Sequence, residues 1–460
     1  MNLFRKKPIA ASGTGDQQLR RELGATDLVM MGLGAMVGTG IFVISGLGAV
    51  QAGPALTLAF LLAGCACALA ALCYAEFASM IPVAGSSYTY AYASLGEVIA
   101  WIVGWSLLAE YGLASASVAV GWSGYCQSLL AGWGITLPDA LMAAPGAMPG
   151  HTTYFNLPAF AIVMVITMLL SAGVRESKRV SNLMVFIKVS VIVLFVAVGI
   201  WHVEPEHWTP YAPHGISGIM SAGALVIFSF LGFDAVSSAA EEVRQPQRDL
   251  PIGLLVALGI CIILYIGVAA VSTGIVPYMQ FEGVDNPISL VLARAHIQWL
   301  ARLVDVAAVV GMAAVILVMC YGITRLVFAI SRDGLLPEAL SRVNSRQVPI
   351  LSTWLFGSCS ALIAALAPLG ILAELINMGT LTAFIIIAIA IPVLRRTQST
   401  RKRAFKVPFS PVVPALCVIV CVALITNLDH ITWLAFAIWL TIGLIVYFGY
   451  SRRHAKIART

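Results

Sequence analysis

The stretch Gly32-Leu33-Gly34-Ala35-Met36-Val37-Gly38-Thr39-Gly40-Ile41-Phe42-Val43-Ile44 decides how the rest of the chain is read. No charged residue occurs from Leu28 to Ala75, so this is membrane sequence, and it carries four glycines. In a helix interior Gly costs roughly 1 kcal/mol relative to Ala. A helix broken inside lipid frees backbone groups that must find partners in protein or in a wet cavity. A break at Gly38-Thr39-Gly40 would turn amides, and the positive end of the following half-helix, towards an anion such as a carboxylate. The competing reading is a packing seam, because Gly34 and Gly38 have the small-residue spacing of closely apposed membrane helices. A dinucleotide fingerprint is excluded: no strand precedes the run and no soluble βαβ unit surrounds it. The glycines alone leave seam and break both open.

Of the 460 residues 60% are hydrophobic and 10% charged, with mean hydropathy +0.93, against roughly 25% charged in soluble domains. The chain therefore reads as an all-α polytopic membrane protein. Apolar spans of about 20 residues fall near 28–50, 55–80, 98–130, 157–174, 183–201, 217–239, 252–275, 304–327, 350–367, 372–394, 411–428 and 431–450, predicting twelve helices. All but four of the 27 lysines and arginines lie before the first span or in alternate segments between and after the others; the exceptions are Lys188, Arg294, Arg302 and Arg325. By the positive-inside rule both termini are cytoplasmic, in an inner or plasma membrane. The net charge of +6 is then topological, and no nucleic-acid partner is expected.

The first 22 residues are polar and basic, with no cleavable signal expected. Nine cysteines lie in apolar stretches without disulfide or metal-ligand spacing and read as small core residues. There is no Walker sequence and no HExxH, so neither ATP drive, nor a metal, nor a cofactor, nor enzymatic chemistry is expected.

The sixth span shares the irregularity of the first, with Gly223 followed by Ser229-Phe230-Leu231-Gly232-Phe233-Asp234 at its middle. Interruptions five helices apart fit an inverted five-plus-five repeat, and paired broken helices point to a transport site at the membrane midplane. This favours the break at Gly38-Thr39-Gly40.

Motifs are spread along nearly the whole chain. Besides Gly32 to Phe42 they include Tyr74-Ala75-Glu76-Phe77-Ala78-Ser79-Met80-Ile81-Pro82, Gly85-Ser86-Ser87-Tyr88-Thr89-Tyr90 and Gly104-Trp105-Ser106-Leu107-Leu108-Ala109-Glu110-Tyr111. Gly121-Trp122-Ser123-Gly124-Tyr125, Gly232-Phe233-Asp234, Ala240-Glu241-Glu242 and Arg248-Asp249-Leu250-Pro251 follow. Ser331-Arg332-Asp333-Gly334-Leu335-Leu336-Pro337 and Glu374-Leu375-Ile376-Asn377-Met378-Gly379-Thr380-Leu381 complete them. In this order and spacing the chain resembles the amino acid-polyamine-organocation superfamily, in particular its cationic amino acid transporter branch.

The resemblance implies a LeuT-like fold: a cytoplasmic segment (1–25), a ten-helix transport core (26–400), two added helices (401–450) and a cytoplasmic tail (451–460). It also implies a site. The substrate α-carboxylate would meet amides of Thr39, Gly40 and Ile41 at the Gly38 break, and the α-ammonium would meet carbonyls of Ala35, Met36, Phe228, Ser229 and Leu231. Phe228 resembles an aromatic lid, although a membrane Phe taken alone reads as packing.

Lys188 is the only charge between Leu183 and Trp201. Position alone allows a functional lysine or one snorkelling to the headgroups. The resemblance implies an ammonium bridging the first and eighth helices, and a desolvated lysine can release its proton, which makes protons the expected coupling partner. Glu110 reads either as a paired structural carboxyl or as part of the side-chain pocket, and sets no charge specificity. Asp234 is expected to cap the second half of the sixth helix, and Arg325 to snorkel or pair with a gate acid. Glu241, Glu242, Arg244, Arg248, Asp249, Arg332 and Asp333 could form exchangeable salt bridges at an inner gate. The expected function is amino acid uptake by alternating access with proton symport. Amino acid/polyamine exchange is the alternative, and a channel or substrate sensor a more distant one.

Overall fold

The structure is a computed structural model that describes Arg5 and residues 23–80, 86–148, 152–173, 178–238, 243–284, 286–344, 348–397 and 403–455. Its helices run α1 (Ala25–Met36), α2 (Ser45–Ala52), α3 (Leu56–Met80), α4 (Ser86–Ser94), α5 (Glu97–Gly132), α6 (Leu157–Ser171), α7 (Lys178–Gly199) and α8 (Gly215–Val226). They continue with α9 (Ala235–Ser238), α10 (Pro246–Ile275), α11 (Pro287–Arg294), α12 (Gln298–Arg332), α13 (Ile350–Leu366), α14 (Leu369–Thr397), α15 (Val412–Ile425) and α16 (His430–Val446). Seven helical runs are long and apolar enough to cross a membrane, the longest running from Gly40 to Met80. Five shorter apolar helices, including Ala25–Met36 and Gly215–Phe230, accompany them. The chain is thus a multi-pass membrane protein. Among the described residues the only sheet-like pairing is an isolated bridge between Leu23 and Val243.

Both spans expected to be interrupted are interrupted. α1 stops at Met36, Val37 is extended (ψ 91°), and a π-helical turn from Gly40 to Ile44 leads into α2. α8 tightens into a 3-10 turn at Ile227–Phe230, Leu231 is extended (ψ 142°), and Gly232 takes φ +96° before α9. That positive φ is open to glycine at little cost. The two breaks touch, α10, α3 and α12 pack around them, and α5 meets the first through Gly121 against Thr39 and the Tyr125 hydroxyl on the Phe42 carbonyl.

α16 is fastened to α5 by indoles. Trp105 stacks on Trp439 at 4.7 Å, each indole N–H donates to the other's carbonyl oxygen, and Trp101 Nε1 donates to the Gly443 carbonyl at 2.8 Å. All nine cysteines are free thiols, as the spacing suggested, but Cys65 and Cys359 face outwards, so the uniform core reading is corrected.

An ion cluster that sequence reasoning overlooked closes one end of the bundle. Glu76 on α3 is fully buried and takes a bidentate contact from Arg395 of α14 (Nε–Oε1 3.0 Å, Nη2–Oε2 2.6 Å). The Val407 amide at 2.7 Å and Arg403 Nε at 3.4 Å complete its shell. A buried carboxylate stripped of its partner is expensive. Arg395→Met should therefore cost about 3–5 kcal/mol, and adding Glu76→Gln should recover part of that loss. Thermal unfolding of the two purified variants checks this; equal melting temperatures for Arg395→Met and the unmodified protein would refute it.

Candidate functional site

The amide supply at the first break follows from its hydrogen bonds. Val37 N–H still returns to the Leu33 carbonyl at 2.9 Å, closing α1. Ile41 and Phe42 N–H both return to the Gly38 carbonyl at 3.2 Å, opening the second half. Gly38, Thr39 and Gly40 thus hold the leading amides of that half, which have no carbonyl one turn earlier in the helix to bond. Ile41 N–H, expected among the carboxylate donors, is already engaged within this turn. Thr39 is 1% exposed and its hydroxyl donates to Met312 Sδ on α12 at 3.3 Å.

Seam and break prove to be properties of different glycines. A Cβ on Gly34 would lie 2.8 Å from Val185, and one on Gly32 2.8 Å from Ala257, so those glycines let α7 and α10 approach α1. A Cβ on Gly40 would collide with the Ser229 backbone, so this glycine lets the two breaks meet.

Tyr265 of α10 ties the breaks together. Its hydroxyl donates to the carbonyls of Met36 and Ser229, each at 2.9 Å. The expectation that these two carbonyls stand open for an ammonium group is corrected: the single phenolic proton is shared between them. The Phe228 carbonyl likewise accepts Leu231 N–H at 3.2 Å. Ala35 lies against Gly232, where a Cβ would come within 2.6 Å of its own. Ala35, Phe228 and Leu231 are nearly buried at the junction, and the Ser229 hydroxyl has no hydrogen-bond partner among the described residues. Asn377 of α14 finishes the first half of the sixth span, donating through Nδ2 to the Ala224 and Leu225 carbonyls at 2.8 and 2.7 Å. Sequence reasoning missed Tyr265 and the role of Asn377. The only available signal for Tyr265 was a polar handle isolated in the aliphatic run Ile262-Ile263-Leu264-Tyr265-Ile266.

Lys188 is 2% exposed, and its ammonium donates to the carbonyls of Gly34 (3.0 Å) and Val37 (2.9 Å). Its stem crosses α12 where Gly311 leaves room for Lys188 Cγ and Cδ. The lysine therefore joins the broken first span to α12, and the snorkelling alternative fails because the ammonium is spent on buried carbonyls.

The remaining candidates divide. Glu110 is buried on α5, where it meets the Thr380 side chain of α14. Asp234 is buried just before α9, where its backbone carbonyl accepts both the amide and the hydroxyl of Ser237. Arg325 is exposed and lies over the Tyr321 ring at 4.9 Å rather than beside an acid. Asp333 accepts the Tyr88 hydroxyl at 2.9 Å, and burial together with this charge raises the Tyr88 phenol above its usual range, keeping it a donor. Arg332 leans on Phe328 at 5.9 Å. Glu241 and Glu242 lie outside the described residues, so the expected gate is reduced to its Arg244, Arg248, Asp249, Arg332 and Asp333 members.

Two touching helix breaks present helix-leading amides, are tied to each other by a tyrosine, and are anchored at the first by a buried lysine. The amino acid permease family model matches residues 23–449. The chain belongs to the amino acid permease family, within the amino acid-polyamine-organocation superfamily. It is 54% identical over 460 residues to a branched-chain amino acid permease of Bacillus subtilis (strain 168), covering 99% of both chains. It is also 47% identical to a methylthioribose transporter of that organism, again covering 99% of both. A vacuolar cationic amino acid transporter of Arabidopsis thaliana is 38% identical over 86% of this chain and 67% of its own. The protein is accordingly a membrane transporter of amino acids or related solutes, and not an enzyme.

Tyr265→Phe removes one donor from two buried carbonyls and should cost about 1–3 kcal/mol. Gly40→Ala should cost more, since the collision is with backbone, whereas Gly449→Ala, with nothing within 4 Å of the added Cβ, should be neutral. Thermal unfolding ranks the three permease variants; a Gly40→Ala melting temperature equal to that of Gly449→Ala would contradict the touching breaks.

Proposed function

We propose that the protein takes up amino acids by alternating access, coupled to protons. The carrying observation is the junction of the two breaks, where helix-leading amides at Thr39 and Gly40 face the irregular Phe228–Gly232 segment across a glycine contact. The substrate carboxylate sits on those amides, within the field of the half-helix. Its ammonium meets the junction at Ala35, Leu231 and, in exchange with the Tyr265 proton, the Met36 and Ser229 carbonyls. Phe228 closes the site as a lid.

This reading takes the apolar helices as twelve crossings: ten in two inverted halves (residues 26–400) and two added (401–450), with residues 1–25 and 451–460 cytoplasmic. The repeat is supported by the matching positions of the two breaks, in the first and sixth crossings. The plasma membrane is the proposed location. The name of the branched-chain amino acid relative supports leucine-like substrates.

Lys188 supplies the coupling. As an ammonium it clamps the Gly34 and Val37 carbonyls to α12; as a neutral amine it loses the charge that strengthens both bonds, freeing the inner half of the first crossing to move. In proteoliposomes, Lys188→Met should abolish leucine accumulation under an imposed inward proton gradient while membrane insertion persists. Undiminished accumulation would remove the lysine from the mechanism.

A second reading is favoured by the methylthioribose relative, whose named substrate carries no carboxylate. Competition of labelled leucine uptake by methylthioribose and by isoamylamine separates the two: strong competition by either means that the carboxylate contacts are dispensable. Stimulation of uptake by leucine preloaded inside vesicles distinguishes a carrier from a channel or sensor.

A further inference from the structure

The last crossing ends in a ladder. Trp439, Gly443 and Tyr447 recur every fourth residue along α16 and the turn that continues it, and so share one face. They meet Trp105, Trp101 and Glu97, which recur every fourth residue along α5 in the opposite direction. The first two rungs are the stacked indoles and the Trp101 bond to the Gly443 carbonyl. In the third the Tyr447 hydroxyl donates to Oε1 of Glu97, the first residue of α5, at 2.8 Å. A π-helical turn, Tyr447–Ser451, then carries the chain past the start of α5, and the Ser451 hydroxyl donates to the Leu335 carbonyl just beyond the end of α12. Such turns recur at functional sites. Tyr447, Ser451 and Ala455 are all fully buried, so the end of this crossing is packed into the protein.

Glu97 also holds α4. Its other oxygen, Oε2, accepts the Tyr92 hydroxyl at 3.3 Å. Tyr88, one helical turn earlier on the same face of α4, donates to Asp333 at 2.9 Å and meets the Tyr92 ring edge-on at 5.8 Å. The opposite face of α4 serves the sixth crossing. Tyr90 stacks on Phe77 of α3 at 5.2 Å, and the Ser87 and Tyr74 hydroxyls share a hydrogen bond of 2.6 Å. The Tyr74 ring in turn meets Phe233, the residue after the Gly232 kink, edge-on at 5.7 Å, and α4 also touches α9 directly.

These nine residues of α4 are therefore a wedge, with the second half of the sixth crossing on one face and the end of the chain on the other. The two carboxylates that hold the wedge sit at the start of α5 and the end of α12, and neither belongs to a broken crossing. The Tyr447 rung reaches one of them, and the Ser451 bond reaches the turn that follows the other. The end of a terminal helix is the easiest part of a bundle to undock, because only its own contacts are lost.

We propose that residues 447–455 are a latch on the sixth-crossing break. Docked on Glu97 and Leu335, they hold α4 against Phe233 and α9 and restrain the second half of that crossing; undocked, they release it. Glu97 is the positioning residue at the centre, since one carboxylate takes the Tyr447 hydroxyl from the latch and the Tyr92 hydroxyl from the wedge. The coupling stands on these contacts alone, while its consequence for transport, easier movement of that half when the latch is free, rests on the uptake reading.

The test is amide hydrogen exchange of the full-length protein in nanodiscs. Tyr447→Phe deletes one hydroxyl and keeps the ring against Trp101, whose centroid is 6.0 Å away. Ser451→Ala deletes the second bond, and Gly449→Ala, in the same turn with nothing within 4 Å of the added Cβ, is the control. Exchange in residues 86–94 and 231–238 should speed up about tenfold in Tyr447→Phe, whose lost bond ends on a carboxylate, and less in Ser451→Ala, with the control unchanged. In proteoliposomes Tyr447→Phe should raise the maximal rate of leucine uptake with the KM held. Faster exchange confined to residues 447–455 in both variants overturns the latch, as does a maximal rate that falls or stays level while exchange at α4 quickens. Faster exchange at 86–94 and 231–238 in the variants, with no leucine transport by the unmodified protein, keeps the coupling and refutes the uptake reading instead.

Discussion

Inside a bilayer every backbone carbonyl released by a broken helix must be bonded by protein or by water in a cavity, because lipid offers no donor. Four such carbonyls define this molecule. Gly34 and Val37 are taken by the Lys188 ammonium, Met36 and Ser229 by the Tyr265 hydroxyl. The acceptors belong to the two breaks, and the donors come from α7 and α10. The irregular centre is therefore stable because two intact helices each contribute one polar group to it, and because Gly40 lets the breaks touch. Under the proposed mechanism a proton lost from the lysine, or an ammonium group competing with the phenol, would change which carbonyls are satisfied and which half-helices are held.

The same constraint explains why the stable and the labile parts of the bundle lie where they do. Away from the breaks, contacts are redundant: the stacked indoles of Trp105 and Trp439 carry reciprocal hydrogen bonds, and Glu76 is satisfied by two arginines and an amide. At the breaks one proton of Tyr265 serves two acceptors, and the Ser229 hydroxyl lacks a partner among the described residues. Under-satisfied groups beside fully satisfied ones mark where a ligand can contribute bonds that the empty protein lacks.

Much of this was legible in the residues. A charge-free run with four glycines, and a second glycine-marked interruption five crossings later, located both breaks, because glycine and extended backbone are costly in a lipid-embedded helix unless something repays them. Lys188 stood out for the same reason. The partners of the broken segments were not legible. Tyr265 and Asn377 lie in ordinary apolar helices, and nothing in a linear pattern orients them towards carbonyls 36 and 150 residues away or more. The pairing of Glu76 with Arg395 depends on where α3 and α14 end in space. The inner-gate expectation is the least accessible part: Arg325 and Arg332 lie over aromatic rings and Asp333 accepts a tyrosine hydroxyl, while Glu241 and Glu242 lie outside the described residues.

The central claim is that an amino acid binds where the two breaks meet, carboxylate on the first and ammonium on both. Density for leucine bound to the full-length protein in nanodiscs tests it most directly. The account predicts a carboxylate against the amides of Thr39 and Gly40, with Phe228 over the ligand and the ammonium between Ala35 and Leu231. Leucine density elsewhere in the bundle, with the junction of Gly40 and Ser229 still closed and empty, would contradict it.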